Sequence, residues 1–319
     1  MRVLVLDGHG ALGRATATAL AQMGDTAVLA GRDPGRYEQM LNLRGDLKDF
    51  YHAASQAAVV VNASGREDPR LVARATSAGA AFVELGGSPA YLSELADPAG
   101  THPKTPVLTA ARLVPVLAGM LARDVAAQDQ GRDPVEIGVV LGAGDPESAA
   151  DIGSTYALLG RYFTDPATGE EVLNFSGRHT VTLPDGTRRS LARVDFPDQQ
   201  MLTAGLGRPV RTYLATSDRF TTALLQGLTR LRGASRLPSA LHLPGNRTWH
   251  VVARAGQNVS QATAHGQLPY AAHIAALAVR RAPTAEPGLR RVHDLLTLSD
   301  LGGLEGLTIV RSRPGVSRS

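Results

Sequence analysis

The first third of the chain alternates short apolar runs with segments of helical periodicity. Continuous apolar runs of this length are typical of parallel strands that are covered on both faces. The runs lie at residues 3–6, 26–30, 58–61, 80–85 and 106–110, and residues 43–45 are a weaker candidate for a third strand. Helical segments lie between them, the first with one apolar face. The alternation therefore predicts an α/β domain with a doubly wound parallel sheet over residues 1–112.

A glycine-rich turn, Gly8-His9-Gly10-Ala11-Leu12-Gly13, joins the first predicted strand to the first predicted helix. In this context the Gly-x-Gly-x-x-Gly spacing indicates a dinucleotide-binding (Rossmann) fold. Gly8 permits the tight turn, Gly10 lets the backbone approach a pyrophosphate, and Gly13 lets the helix pack close to the strand. The N–H groups that open the helix suit phosphate oxygens. We therefore predict that residues 8–13 bind a dinucleotide cofactor.

The second predicted strand ends in Gly31-Arg32-Asp33, which bears on the choice of cofactor. NAD sites usually place an acidic residue at this tip to hold the ribose 2′-hydroxyl, whereas an arginine suits the 2′-phosphate of NADP. The first charged residue here is Arg32, and Arg36 could be a second clamp. Both arginines could instead be solvated, and Asp33 could still reach a ribose hydroxyl. We predict that residues 31–33 contact the cofactor and that NADP is favoured over NAD.

Beyond residue 112 the pattern changes. A helix is predicted from Pro115 to about residue 127, strands over 135–141, 248–253 and 307–310, and a hairpin over 178–191. These elements favour a second, α+β domain over 113–310, with a mainly antiparallel sheet, for substrate binding and dimerisation. An amphipathic helix over 267–281 could pack back on the first domain. Residues 311–319 are predicted to form a disordered tail.

Composition excludes several classes of function. The chain contains no cysteine, so disulfides, thiolate catalysis and thiolate metal sites are absent, and no pair of histidines has metal-ligand spacing. The sequence pI near 9.7 accompanies a net charge of only +4 and scattered arginines, which argues against nucleic acid as a partner. No apolar run approaches the roughly 18 residues of a membrane span. The chain starts almost directly in a strand, which leaves no room for a signal peptide, so we expect a cytoplasmic protein without metal.

Three further tracts, taken together with the glycine-rich turn at residues 8–13, form a recognisable set of sequence motifs. The first is Val59-Val-Val-Asn62-Ala63-Ser64-Gly65, the second runs from Ala78 to Gly87, and the third comprises residues 287–289 and 304–307. Together they resemble the saccharopine dehydrogenase-like NADP-binding oxidoreductases, reasonably over residues 1–125 and loosely beyond. The resemblance implies the fold, the cofactor NADP and a homodimer.

The sequence also departs from that family. Family members read Gly-x-x-Pro-Gly-Leu after the sixth strand, whereas the tract from Ala111 to Leu117 keeps the proline and loses both glycines. Glu84 replaces the usual aspartate. The resemblance therefore implies much less about the substrate than about the fold and cofactor.

Candidates for chemistry follow the predicted strands at their carboxyl ends. Hydride transfer to an imine or carbonyl needs a positioned substrate and a proton donor. Small residues at Ala63, Ser64 and Gly65 leave space for the nicotinamide. Arg112 could hold a substrate carboxylate bidentately, with a surface salt bridge as the alternative. Glu84 and His179 are further catalytic candidates, and His250, His265 and Tyr270 could also reach a substrate.

Three functions are compatible with these residues. The first is an NADP-dependent reductase, or its reverse, acting on an imine or carbonyl of a small amino-acid-like metabolite. The second is redox-neutral or aminoalkyl-transfer chemistry with a bound NAD(P). The third is a non-catalytic NADP sensor. One scaffold hosts many functions, so the fold alone does not separate them.

Overall fold

The computed structural model describes residues 1–33, 35, 37–97, 103–109, 111–131, 133–142, 144, 158–183, 185–196, 199–230 and 246–312. Arg36 and residues 313–319, most of the predicted tail, lie outside the described residues. The chain divides into two compact units. The first comprises Met1–Val116 and Leu268–Leu301, and the second comprises Leu117–Gln267 and Gly302–Ser319.

The first unit is built on a parallel sheet, which has seven strands within the described residues. These are β1 (Arg2–Leu6), β2 (Thr26–Gly31), β3 (Gln39–Met40), β4 (Val59–Asn62), β5 (Ala81–Glu84), β6 (Pro106–Thr109) and β15 (Gly288–Arg291). Their order is β15-β6-β5-β4-β1-β2-β3, and every neighbouring pair runs parallel. The chain order reverses beside β1, and in such sheets ligands bind outside the carboxyl ends of the strands at that point.

Helices cover this sheet. They are α1 (Ala11–Gln22), α2 (Lys48–Ser55), α3 (Pro69–Ser77), α4 (Pro89–Leu95), α8 (Leu268–Arg281), α9 (Val292–Leu295) and the start of α5 (Leu113–Gln128). Local sequence explains where some of them begin: the Asp68 carboxylate caps α3 by accepting from the Arg70 N–H at 3.1 Å, and Pro69 fills the first helical position. Leu4, Phe50, Leu71 and Phe82 belong to the apolar core that joins α2 and α3 to the sheet.

Two features of this sheet differ from the sequence prediction. The third strand was expected at residues 43–45, but these residues form a turn, and β3 lies earlier at Gln39–Met40. The Asn42 side chain explains the difference, because its Oδ1 accepts from the Arg44 N–H at 3.0 Å and so favours a turn. β15 was not predicted; it pairs with β6 through the register Leu289 to Val107.

The second unit contains a mixed, mainly antiparallel sheet. Its strands are β7 (Val135–Leu141), β10 (Arg178–Thr182), β11 (Arg188–Arg193), β12 (Val210–Thr216), β13 (Thr248–Ala255), β14 (Asn258–His265) and β16 (Thr308–Ser312), in the order β10-β11-β12-β7-β13-β14-β16. Only the β12–β7 pair is parallel among the described pairs. The unit also holds β8 (Tyr162–Thr164), β9 (Glu171–Leu173), α6 (Gln199–Leu206) and α7 (Arg219–Leu228). The predicted fold class, a parallel α/β sheet followed by an α+β region, is confirmed.

A buried ion cluster lies at one end of this second sheet. The Asp165 carboxylate accepts from Arg193 Nη2 at 3.1 Å and from Arg211 Nε at 2.9 Å. The guanidinium of Arg193 also lies over the rings of Phe163 and Tyr213, at 4.9 and 5.5 Å from their centroids. Asp165 and Arg193 are 4% and 6% exposed, so this ion pair is buried and each charge has the other as a compensating partner.

No helix within the described residues is long and apolar enough to span a membrane.

Candidate functional site

The glycine-rich turn after β1 packs as a dinucleotide-binding turn requires. A Cβ at position 13 would lie 2.8 Å from both the Asp7 carbonyl oxygen and the Gly8 Cα, so only glycine allows α1 to approach β1 this closely. A Cβ at position 8 would lie 2.5 Å from Leu29 Cδ2 in β2. Gly10 is the N-cap of α1 and donates its N–H to the Asp7 carbonyl at 3.0 Å. The turn therefore holds the start of α1 tightly against the ends of β1 and β2.

The N-terminus of α1 suits an anion. Within the described residues no side chain caps this helix, and its first turn, which includes Ala11 and Leu12, contains no acidic residue. The first N–H groups of a helix lack partners inside the helix and carry the positive end of its dipole. The residues present therefore fit the pyrophosphate of a dinucleotide at this helix start.

Asp7 adds a feature that the motif did not predict. It adopts φ 54°, a left-handed conformation that is uncommon for a non-glycine residue. Its carboxylate Oδ1 accepts from the Tyr37 hydroxyl at 2.6 Å, and the His9 ring meets the Tyr37 ring edge-on with 4.7 Å between centroids. The Tyr37 ring lies so close to Gly31 that a Cβ there would overlap it. Gly31 is thus required by the packing of Tyr37 at the tip of β2.

The two charged residues after β2 differ in their surroundings. Arg32 is exposed. Asp33 is exposed as well, but its Oδ1 accepts from the Gly35 N–H at 3.2 Å, which shapes the turn. One oxygen of the Asp33 carboxylate, Oδ1, is therefore engaged within its own turn.

The turn after β4 is organised by Asn62. The Asn62 side chain, 1% exposed, accepts at Oδ1 from the Ser64 N–H at 3.2 Å and from the Ser64 hydroxyl at 2.6 Å. Its Nδ2 donates to the Arg66 carbonyl at 3.0 Å and to Glu84 Oε2 at 2.7 Å. Gly65 adopts φ 65°, and a Cβ there would meet nothing within 4 Å. The backbone of Ala63, Ser64 and Gly65 is therefore held in one shape with open space beside Gly65.

Glu84 ends β5 beside this turn and is 1% exposed. Besides Asn62, its carboxylate accepts from the Gly86 N–H at 3.0 Å and from the Tyr91 hydroxyl of α4 at 3.3 Å. Burial raises the pKa of the Glu84 carboxyl to about 7, although these three donors act to lower it. Glu84 is therefore a buried ionisable group with a raised pKa, next to the turns that follow β4 and β5.

The other two predicted catalytic residues, Arg112 and His179, belong to different units. Arg112 is half-buried and directly precedes α5, and its carbonyl accepts from the Val116 N–H at 3.1 Å. The neighbouring Ala111 N–H donates to the Glu84 carbonyl at 3.3 Å, which ties the segment after β6 to β5. His179 belongs to β10 in the second unit, where its Nε2 lies 3.4 Å from Glu136 Oε2 and its ring stacks on Tyr213.

The structure thus brings most predicted site residues of the first unit to the carboxyl edge of its sheet. Residues 8–13 follow β1, residues 31–33 close β2, residues 63–65 follow β4, Glu84 closes β5 and Arg112 comes after β6. Sequence reasoning did not find Asn62, Tyr91, Asp7 or Tyr37 as parts of this edge. Asn62 carried a signal, because it is the polar residue that ends the apolar run Val59–Val61.

Comparison with known proteins finds one curated relative and several similar folds. No family model matches it. Over 204 residues it is 31% identical to a glutamyl-tRNA reductase of Kineococcus radiotolerans, a match that covers 62% of this chain and 42% of that protein. The chain therefore spans about two fifths of the length of this curated relative.

Solved structures resemble it over nearly its whole length. Saccharopine dehydrogenase (L-Glu forming) from Saccharomyces cerevisiae matches with a TM-score of 0.65 and 12% identity, covering 98% of this chain and 99% of that chain. The DAP dehydrogenase of C. glutamicum matches with a TM-score of 0.48 and 14% identity over 96% and 99% of the two chains. The chain has a two-unit fold with a parallel α/β sheet in the first unit and a mainly antiparallel sheet in the second. More particularly, it is similar to saccharopine dehydrogenase, and the resemblance expected from the sequence is confirmed at the level of the fold.

Proposed function

We propose that this protein is an NADPH-dependent oxidoreductase that reduces an imine or carbonyl of a small amino-acid-like metabolite, or catalyses the reverse oxidation. The start of α1 carries this proposal, because Gly13 permits backbone contact with Asp7 and the helix presents its first N–H groups without a side-chain cap among the described residues. The likeness to a glutamyl-tRNA reductase and to the saccharopine dehydrogenase fold supports the same class of reaction.

The cofactor would be held by three segments of the first unit. Residues 8–13 would bind the pyrophosphate through the helix start, and residues 31–33 would contact the adenosine half. Arg32, which is exposed at the tip of β2, would pair with a 2′-phosphate, and this favours NADP over NAD. Residues 63–65 would lie against the nicotinamide, since Gly65 has open space beside it.

A bound NADPH would supply a hydride, and the chain would bind and orient the acceptor. Arg112, next to the end of β6, would hold a substrate carboxylate through paired N–H donors. Glu84, predicted from the sequence as a catalytic candidate, is buried under its hydrogen bonds to Asn62 and Tyr91 and would support the site through these contacts. His179 remains a predicted proton donor on the second sheet. The homodimer and the cytoplasmic location also remain predictions.

Turnover with a defined panel tests the proposal. The purified protein is incubated with NADPH and a set of 2-keto acids, with and without ammonia or amines, and both the loss of NADPH absorbance and the products are followed. Oxidation of NADPH with an amine or alcohol product supports the reductase. Product without net oxidation would instead indicate redox-neutral chemistry, and tight binding without any product would indicate a sensor.

A pair of variants shows whether the NADPH oxidation comes from this protein or from a contaminating enzyme. Gly13→Val places a side chain against the Asp7 carbonyl and should abolish NADPH oxidation, whereas Gly45→Ala, at an exposed position where a Cβ would lie 3.9 Å from Asn42 Nδ2, should leave it unchanged. Equal oxidation by both variants would contradict the proposed cofactor site.

A further inference from the structure

Both the amide nitrogen and the amide oxygen of the Asn62 side chain have all their hydrogen bonds made. Its two N–H bonds go to Arg66 O and Glu84 Oε2, and its carbonyl oxygen accepts twice from Ser64. A buried amide with all its hydrogen bonds made fixes the groups around it, because any displacement leaves a polar atom without a partner. The turn after β4 therefore has its shape imposed through one side chain.

Glu84 extends this control to the next turn. Its Oε1 accepts from the Gly86 N–H, which begins the turn after β5, and its Oε2 accepts from Asn62 and from Tyr91 on α4. One carboxyl therefore joins the turns after two adjacent strands to a helix. All three contacts are donated to Glu84, so the ionised carboxylate satisfies all of them, whereas a protonated carboxyl must itself donate at one oxygen.

The titratable groups around Glu84 are Glu67 and Tyr91, and Asp68 acts on Tyr91 in turn. Glu67 bears on Glu84 from the segment after β4, and its carboxylate accepts from the N–H and hydroxyl of Ser88, at 2.5 and 2.7 Å. Tyr91 faces Glu84 from α4, and Asp68, held by Arg66 and Arg70, bears on Tyr91. The Ala111 N–H, from the segment after β6, donates to the Glu84 carbonyl. The neighbouring acids thus already have partners of their own.

We propose that Glu84 is a positioning residue for the nicotinamide half of the cofactor, acting through Asn62 on the turn over residues 63–65 and directly on Gly86. The inference rests on the proposed cofactor site and adds that the protonation state of Glu84 affects binding there. The ionised carboxylate holds both turns in the shape that the structure shows. Protonation removes its charge and turns one of its acceptor positions into a donor, which weakens these hydrogen bonds. Cofactor binding at the nicotinamide end is therefore linked to loss of this proton, while binding of the adenosine end is not.

Two ligands separate the ends of the site. NADPH spans the whole proposed site, whereas 2′-phospho-ADP-ribose lacks only the nicotinamide. Both carry the 2′-phosphate and the pyrophosphate, so the ratio of their dissociation constants cancels the titration of these groups. In the wild-type protein we expect NADPH binding, relative to 2′-phospho-ADP-ribose, to strengthen by about fivefold between about pH 6 and pH 8, the effect of one net hydrogen bond.

Three variants test whether Glu84 causes the pH dependence of this ratio. Glu84→Gln should give a ratio that no longer depends on pH and that equals the wild-type value at low pH, with binding of 2′-phospho-ADP-ribose unchanged. Tyr91→Phe removes one donor and keeps the carboxyl, so it should retain a pH-dependent ratio with a shifted midpoint. Glu94→Gln, an exposed carboxylate on the same helix, is the matched control and should behave as wild type.

The outcomes are distinct. A ratio that is independent of pH in the wild type, or one that keeps its full pH dependence in Glu84→Gln, would overturn the inference and leave the proposed cofactor site standing. Failure of the wild type to bind either ligand would overturn the cofactor site itself and this inference with it. If Glu84→Gln does not fold, the midpoint in Tyr91→Phe decides: an unshifted midpoint contradicts the role of Glu84.

Discussion

Asn62 and Glu84 end adjacent parallel strands and meet side by side, with 2.7 Å between Asn62 Nδ2 and Glu84 Oε2 and only 1% of each residue exposed. An acid so deeply buried among neutral donors is expensive to ionise, which explains why its pKa lies near neutrality. Near neutral pH, the free energy of unfolding should therefore depend on the ionisation of Glu84.

Glu84→Gln should remove that dependence. In the unfolded chain the carboxyl has a pKa of 4.5, and in the folded protein burial raises the pKa to about 7. Below pH 4.5 both states hold the proton; as pH rises to about 7 only the unfolded state loses it, so folding becomes less favourable by up to about 3 kcal/mol. We expect the variant to gain stability relative to wild type as pH rises through this window.

Urea unfolding, followed by far-UV circular dichroism between about pH 5 and pH 8, measures this difference. Glu94→Gln should follow the wild type at every pH, because that side chain is exposed. A constant difference between Glu84→Gln and wild type across the range would show that the carboxyl does not titrate there.

Arg32→Ala should remove a preference for NADPH. The exposed guanidinium at the tip of β2 can pair bidentately with a 2′-phosphate, and the loss of such a contact lowers affinity by about tenfold or more. We expect wild type to bind NADPH at least about tenfold more tightly than NADH, and the variant to bind the two alike. Calorimetry with both cofactors checks this, with Arg44→Ala, an exposed arginine of the same unit, as control. Equal affinities in wild type would contradict the assignment of NADP.

Gly13→Ala tests the close approach of α1 to β1. The added Cβ would lie 2.8 Å from two backbone atoms, at Asp7 and Gly8, and neither can turn aside as a side chain could. Overpacking of this kind costs about 1–3 kcal/mol, whereas Gly45→Ala, at an open position, should stay within about 1 kcal/mol of wild type. Thermal unfolding of the two variants compares them, and equal melting temperatures would show that the turn can relax.

The sequence predicted the elements whose signal is local. Each of these signals is contained within a few consecutive residues: the apolar run of β1, the apolar run of β4, and the spacing from Gly8 to Gly13. The hydrophobic pattern and the turn residues were therefore sufficient to predict these elements. The prediction of a strand at residues 43–45 was wrong, because it weighed one apolar residue there above the turn-forming side chain of Asn42.

Contacts made by tertiary packing were beyond such reasoning. The Tyr37 hydroxyl reaches Asp7 across 30 positions of chain, and Glu84 reaches Asn62 across 22. β15 joins the first sheet after an excursion of the chain through the second unit, and the half-buried residues Gly288–Arg291 carry little hydrophobic signal. Which side chains meet at a sheet edge depends on strand order, and strand order is set by the whole fold.

Asp165→Asn should destabilise the second unit in a pH-dependent way. Burial alone would raise the pKa of Asp165, but the Ala167 N–H and the guanidinium groups of Arg211 and Arg193 lower that pKa from 3.8 to about 2. The carboxylate therefore stabilises the fold above pH 3.8, and this contribution is lost as pH falls towards 2. Removing one partner of a buried pair costs about 3–5 kcal/mol. Urea unfolding at neutral pH should show this loss, and at about pH 3 the gap from wild type should narrow; a gap independent of pH would contradict the pairing.

Arg112→Ala tests where the substrate binds. Arg112 follows β6 at the edge that also carries Glu84 and residues 63–65, and Ala111 beside it is hydrogen-bonded to β5, so the start of α5 is fixed in place. If Arg112 holds a substrate carboxylate, its loss should raise KM, or lower kcat where orientation fails, by roughly 10- to 100-fold. Steady-state kinetics on the substrate found in the keto acid panel measure both constants.

The affinity for NADPH separates this role from a structural one. It should stay within about twofold of wild type in Arg112→Ala, because the contact is made to substrate and not to cofactor. Arg112→Lys keeps the charge but not the paired donors, so it should recover only part of the loss in kcat/KM. Unchanged kinetics in Arg112→Ala would place the substrate elsewhere. A parallel fall in NADPH affinity would mean that the residue supports the cofactor site instead.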